Sequence, residues 1–297
     1  MEFKKFLDYK IGLNFAYLLP EKLGFYFVKK RGEKIFEREK RIVEKIIKNL
    51  IEVLNIDKNK AEKISKKIFM LSSFEEFFGL KLAKKEINFI EKKVHLKNEE
   101  FLKEIIKKYK RGVFVLIHEG FFLQSLCKIA YRFNIKINAI AWPYFEAESK
   151  VFKNFIGNKI EGMKYFTKGE FFFVGYINPR KLYEKLNNNE FLAIAIDSPL
   201  GRSSKVEINF FNTKKYYPVS AFKIGLKTNS PIIPIYQSYD FNLNVINTEI
   251  LTPFFIKNKD EISFKISEIF KKFEEKLKKE PEQYFYWSSP SSWATIK

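Results

Sequence analysis

The chain is poor in the residues that staple or metallate a fold. Cys127 is the one cysteine among 297 residues, so no intrachain disulfide can form and no cysteine cluster can hold a metal. The two histidines, His95 and His118, stand far apart in sequence, and no metal site is expected from them. A single cysteine suits a reducing compartment. Long apolar runs are missing too: none approaches the roughly 20 residues of a membrane-spanning helix. The nearest is MEFKKFLDYKIGLNFAYLLPEKLGFYFV, residues 1–28, with lysines spaced through it and Pro20 interrupting it. No small-residue cleavage site follows its apolar part, so it does not read as a signal peptide. It reads as an interfacial segment that lies on a membrane with its lysines toward the headgroups. The alternative is an ordinary amphipathic core helix.

Phenylalanine and lysine are abundant instead. Aromatic residues make up 18% of the chain, mostly Phe, and suit both a core and a lipid–water boundary. The net charge of +20 comes almost wholly from lysine and implies an acidic partner. Lysine in place of arginine argues against readout of base edges. No helix-turn-helix, zinc or RNP-like signature is present, and no nucleic-acid partner is expected. The first 112 residues carry a net of +12 and the remaining 185 a net of +8, so the basic surface is concentrated in the N-terminal region.

Two sections follow from periodicity. Residues 1–80 read as a helical, basic section: REKRIVEKIIKNLIEVL repeats its apolar residues with a 3.6-residue period, and Asp57 is placed to cap the next helix. Residues 81–297 read as an α/β domain. EINFIEKKVHL is expected to be a strand, and NEEFLKEIIKKYKRG a helix capped by Asn98 and stopped at Gly112. Strands and helices then alternate: VFVLIH, INAIAW, FFFVGY, FLAIAID and PIIPIYQ as strands, with helical segments between. The expected fold is a mixed, partly parallel sheet flanked by helices, with the helical section packed beside it.

Ligands of open α/β sheets bind beyond the carboxyl ends of the strands. Two buried strands end there in ionisable groups: VFVLIH in His118 and FLAIAID in Asp197. Inside a strand either group would be costly to desolvate; at the edge either is usable. A histidine there can serve as a general base near neutral pH, or be a structural histidine bonded to backbone. The loop after Asp197 holds Gly201, Arg202, Ser203 and Lys205, a mixture that suits an anionic group of a substrate, though it also fits an exposed turn. No G-x-S-x-G elbow is present. His95, among lysines near the end of an edge strand, reads as a surface residue.

The order of these blocks resembles the bacterial lipid A late acyltransferases, the lauroyl and myristoyl transferases within the wider glycerolipid acyltransferase group. The likeness runs from the basic helical start through LSSFEEFFGL, KRGVFVLIHEG, NEFLAIAIDSPLGRSSKVEINFFN and SPIIPIY to PEQYFYW, which is similar to the family's PEQW-W terminus. The resemblance implies transfer of a fatty acyl chain from acyl-carrier protein or acyl-CoA to a hydroxyl of a glycolipid such as a lipid A precursor. It needs no cofactor. It implies His118 as the base, and residence on the cytoplasmic face of the inner membrane as a peripheral or monotopic protein. An acidic carrier protein or an anionic membrane lipid would meet the positive surface.

The chain departs from the family pattern at a telling place. Five residues after His118, where the family carries Glu or Asp, stands Leu123, with Phe121 and Phe122 before it. Asn212 replaces the glycine of FFG, and Ser288, Ser289 and Pro290 replace a basic triplet. Three explanations are open. Another carboxylate orients His118: Asp197, from another strand end, is the better candidate, and Glu119 would need a turn to bring it back. The enzyme works without one. Or the chain is a non-catalytic lipid-binding or accessory relative of the same fold.

Overall fold

The structure is a computed structural model, and it describes residues 2–198, 204–211 and 213–288. The N-terminal section is helical, as its periodicity implies. It comprises α1 (Glu2–Lys5), a π-helical turn (Phe6–Gly12), α2 (Leu13–Leu18), α3 (Glu21–Arg38), α4 (Lys40–Leu54) and α5 (Lys58–Ala83). Asp57 caps α5 as expected, its carboxylate accepting from the Lys60 N–H at 2.9 Å. The first turn is tied down by charge. Arg31 of α3 is buried and donates to Asp8 at 2.5 and 2.6 Å and pairs with Glu76 at 2.6 Å.

The expected strand at 86–96 is mostly helix: α6 spans Ile87–Lys93 and β1 only Val94–Lys97. The alternation of Ile87 and Phe89 misleads there. The buried residues are Phe89, Ile90 and Val94, a helical spacing, and Phe89 packs on Phe78 with ring centroids 4.8 Å apart. Helix α7 (Glu99–Tyr109) begins after Asn98, but Asn98 sits in the left-handed region and its amide donates to Ile250 O instead of capping. Lys110 ends the helix, and Gly112 already begins β2.

The rest alternates. β2 (Gly112–Leu116), α8 (Phe122–Phe133), β3 (Ile137–Ala141), α9 (Lys150–Thr167), β4 (Lys168–Phe173), α10 (Pro179–Asn187) and β5 (Phe191–Ala195) come first. The hairpin β6 (Lys205–Phe210) and β7 (Thr213–Pro218) follows. α11 (Ser220–Thr228), β8 (Ile232–Asp240), β9 (Val245–Ile250) and α12 (Glu261–Lys279) complete the fold. Seven strands form one sheet in the order β1-β9-β8-β2-β5-β3-β4; β6 and β7 pair separately. Every pair in the large sheet is parallel except β8 with β9. It is thus the mixed, mostly parallel α/β sheet that the alternation implies.

All five residues of β2 are buried, as a central parallel strand between two helical layers requires. Val113, Val115 and Ile117 face the core formed with α10, α11 and α12. Phe114 and Leu116 face the opposite core, with α7 and α8. A third core joins α3, α5 and α9 through a phenylalanine cluster that includes Phe25, Phe74, Phe77 and Phe78.

Candidate active site

β2 and β5 are parallel neighbours with Leu116 opposite Ala195. The Ile196 N–H donates to Leu116 O at 2.8 Å, one more rung of the same ladder. Two residues past the last paired positions, that register sets His118 beside Asp197. Here the carboxylate replaces the backbone as acceptor. The His118 N–H donates to Asp197 Oδ2 at 2.9 Å, and the imidazole Nδ1 lies 2.7 Å from Oδ1. Asp197 is fully buried and His118 is 25% exposed on its side chain, so one partner is sealed and the other is reachable. An Asp197 carboxylate can only accept, which places the imidazole proton on Nδ1 and leaves a lone pair on Nε2.

Glu119 goes elsewhere. The chain turns sharply after His118: Glu119 N–H donates back to Ile117 O at 2.8 Å, and Gly120 takes a left-handed φ of 48°. A Cβ on Gly120 would stand 2.7 Å from Gln237 O, so glycine is required twice over, by conformation and by space. The turn carries the Glu119 side chain into the interior, where Oε1 accepts from the Gln237 N–H at 3.2 Å and Oε2 meets no partner. Burial, with the Asp197 charge adding to it, pushes this carboxyl well above the usual carboxylate range. Leu123 lies in the first turn of α8 and packs against the phenylalanine core.

The segment PEQYFYW is laid across the same turn. Gly120 N–H donates to Gln283 O at 2.8 Å, Glu119 bridges Tyr284, and Phe285 N–H donates to His118 O at 2.9 Å. These bonds bring two phenols to the pair. Tyr284, fully buried, hydrogen-bonds Asp197. Tyr286 stacks on the imidazole, ring centroids 4.4 Å apart and 23° from parallel, with its hydroxyl 3.2 Å from Nε2. It also hydrogen-bonds Ser198. Burial first, then the Asp197 charge, raises both phenols above their ordinary range, so both stay protonated. Phe122 meets the imidazole edge-on at 5.6 Å.

A buried lysine completes the surroundings. Lys215 of β7 is 4% exposed, and burial, partly offset by the Asp197 charge, pushes its ammonium down to about 7. Lys205 stands exposed on β6, opposite Pro218. Gly201, Arg202 and Ser203, read from the sequence as anion-binding, lie outside the described residues, as do Asn212, Ser289 and Pro290. His95 is exposed on the edge strand β1. It borders a groove of about 450 Å³ with Glu91, Lys128 and Arg132, which contains neither His118 nor Asp197. Among the described residues no group of side chains is arranged to hold a metal ion.

Sequence reasoning singled out His118 and Asp197 from strand ends, and kept Glu119 as the lesser alternative because a turn cannot be seen in a string. It missed Tyr284, Tyr286 and Lys215 as neighbours of the pair. The block PEQYFYW was visible; only its path back across the His118 turn shows what its hydroxyls touch.

No curated protein matches the chain. Residues 170–289 match the family model described as bacterial lipid A biosynthesis acyltransferase. That stretch runs from β4 past Trp287 and carries Asp197, Lys215, Tyr284 and Tyr286; His118 stands before it. Over residues 170–289 the chain is therefore similar to the bacterial lipid A biosynthesis acyltransferases.

Proposed function

We propose that the chain transfers a fatty acyl group from the thioester of an acyl-carrier protein or acyl-CoA to a hydroxyl of a lipid A precursor or similar glycolipid, with His118 as base. The carrying observation is the 2.7 Å contact between His118 Nδ1 and Asp197 Oδ1 at the carboxyl edge of the sheet. Asp197 fixes the tautomer and the ring, and it stabilises the imidazolium that forms as the acceptor gives up its proton. The alkoxide oxygen attacks the thioester carbon, the C–S bond breaks, and the imidazolium returns its proton to the leaving sulfur. Asp197 thereby takes the part that the family's carboxylate plays five residues after the histidine. The cationic loop from Gly201 to Lys205 is assigned to an anionic group of donor or acceptor.

The reaction is assigned to a membrane surface. No helix among the described residues is long and apolar enough to cross a bilayer. The first helices do expose apolar side chains in quantity: Phe3 71%, Ile11 51%, Phe15 51%, Leu18 79% and Leu23 55%. An apolar face of this size among lysines suits an anionic membrane interface, where the phosphorylated acceptor would reside. The test is transfer from lauroyl-CoA or lauroyl acyl-carrier protein into a lipid A precursor, read by mass spectrometry of the lipid. Loss of transfer in His118→Ala is expected. Equal transfer by that variant would remove His118 as the base, and a folded protein with no transfer at all would favour a lipid-binding role.

A further inference from the structure

Nε2 of His118, the atom that would take the acceptor proton, is already engaged. Tyr286 covers one face of the imidazole and its hydroxyl stands 3.2 Å from Nε2. Either this phenol leaves when the acceptor arrives, or it stays and carries the proton. The anchoring of its segment decides between them.

Tyr286 is held on both sides along the chain. Before it, Phe285 N–H is bonded to His118 O at 2.9 Å, Gln283 O takes Gly120 N–H at 2.8 Å, and the Gln283 amide bonds the backbone of Tyr239 on β8 through both Oε1 and Nε2. After it, Trp287 is fully buried, its indole N–H donates to Pro281 O at 2.7 Å, and its carbonyl accepts from the Asn49 amide of α4 at 2.7 Å. Displacing the segment would break several of these bonds and uncover a buried tryptophan, while rotating the phenol alone would give up its stack on the imidazole and both bonds of its hydroxyl.

The phenol is also wired for the other role. Its hydroxyl meets Nε2 on one side and the Ser198 hydroxyl on the other. With Nδ1–H directed at Asp197, Nε2 can only accept, so Tyr286 donates to it and has a lone pair left for an incoming donor. Ser198 is partly exposed, at the start of the loop that leads away from β5. A hydroxyl that accepts on its outer side and donates on its inner side is the unit of a proton relay.

Resting on the acyl-transfer reading above, we infer that Tyr286 is a catalytic residue that relays the acceptor's proton to His118, the acceptor hydroxyl docking on the phenol oxygen where Ser198 now bonds. In the forward step the acceptor O–H bond breaks and its proton passes to the Tyr286 oxygen. The phenol proton passes at the same time to Nε2, and the acceptor oxygen forms its bond to the acyl carbon. When the C–S bond breaks, the same two protons move back and the sulfur leaves as a thiol. Tyr286 ends as it began. Because the phenol gives its proton to Nε2 as it takes one from the acceptor, the two transfers are concerted and no phenolate stands between them.

Tyr286→Phe keeps the stacked ring and removes only the hydroxyl. With lauroyl-CoA as donor and a lipid A precursor as acceptor, kcat of this variant is expected to fall at least tenfold with KM within about twofold. The wild-type rate in mixtures of light and heavy water is expected to curve with the deuterium fraction, two protons being in flight, and to become linear in the variant. A kcat equal to or above wild type would overturn the relay and identify the phenol as a plug; a linear wild-type plot would overturn it without any variant. His118→Ala is run beside it. If that variant keeps full activity the acyl-transfer reading itself fails, whereas an inactive His118→Ala with an unimpaired Tyr286→Phe removes the relay alone. With only two histidines in the chain, ring-nitrogen NMR gives a readout apart from activity. The His118 Nε2 resonance is expected to move toward its unbonded position in Tyr286→Phe while that of His95 stays. An unmoved His118 resonance would show that the bond does not exist.

Discussion

Asp197 faces His118 from the neighbouring strand, two residues beyond the last rung of the β2–β5 pairing, and bonds both its backbone N–H and its ring. The two residues are 79 apart in the chain and one strand apart in space. Asp197→Asn is therefore expected to cost about 10² to 10⁴ in kcat with little change in KM, because an amide can also present its NH₂ and so release the tautomer. Steady-state kinetics on protein with an unchanged circular dichroism spectrum checks it; activity within threefold of wild type would show that the carboxylate does not support the histidine.

Restoring the acid at the family's position is expected to gain nothing. Leu123 packs on the phenylalanine core from the start of α8, and His118 Nδ1 is already bonded to Asp197. Leu123→Glu is expected to leave kcat no higher and to lower stability by about 1–3 kcal/mol through lost burial and a poorly solvated carboxylate. Urea unfolding and kinetics together decide. A rise in kcat would mean that Asp197 is the weaker partner.

The α/β order, the strand ends and the Asp57 cap were legible in the sequence because each rests on local chemistry: period, burial and a side chain three residues from its acceptor. The helix at Ile87–Lys93 was not, since in a seven-residue stretch Ile87 and Phe89 satisfy an alternating pattern while Phe89, Ile90 and Val94 satisfy a helical one. The choice between Asp197 and Glu119 depended on the φ of Gly120 and on the register of β2 with β5. Neither is a local property of composition. The phenols of Tyr284 and Tyr286 were hidden for the same reason, their partners lying 87 and 168 residues away.

Glu119 gives a pH dependence. Its carboxyl is held well above 4.5 in the fold, chiefly by burial, so the folded state binds more protons than the unfolded one above that pH. Its contribution is fully present below about 4.5 and is lost as pH rises toward the folded value. Glu119→Gln removes the ionisation while keeping the shape. The variant is expected to gain stability relative to wild type as pH rises from 5 to 8, read as a widening gap in denaturant midpoints. A gap that narrows or stays flat would contradict the assignment.

Gly120 is the hinge pin of the turn. Gly120→Ala places a Cβ 2.7 Å from Gln237 O on a backbone of φ 48°. A loss of roughly 2–3 kcal/mol is expected from clash and conformation together. The displaced turn would also carry His118 off Asp197, so activity is expected to fall further than the folded fraction. Thermal melts paired with rates per folded molecule separate the two effects.

The exposed apolar face of the first helices is expected to bind anionic vesicles. Replacing Phe15 and Leu18 together by serine should weaken partitioning at least tenfold, since burying even half of each side chain is worth on the order of 1 kcal/mol. Neither residue is in the buried core, so the melting temperature is expected to stay within about 2 °C. Sedimentation with vesicles is the measurement, and undiminished binding would move the membrane contact elsewhere.

The bonds from Gly120 to Gln283 and from Phe285 to His118 also set an order in time. Ribosomes deliver a chain from its first residue, so strands β2 and β5 can pair while the tyrosines of residues 284–286 are still unmade. During that interval the imidazole would stand next to Asp197 without the phenols of Tyr284 and Tyr286. The wall that Tyr284 and Tyr286 build is thus added to a His118–Asp197 pair already in place.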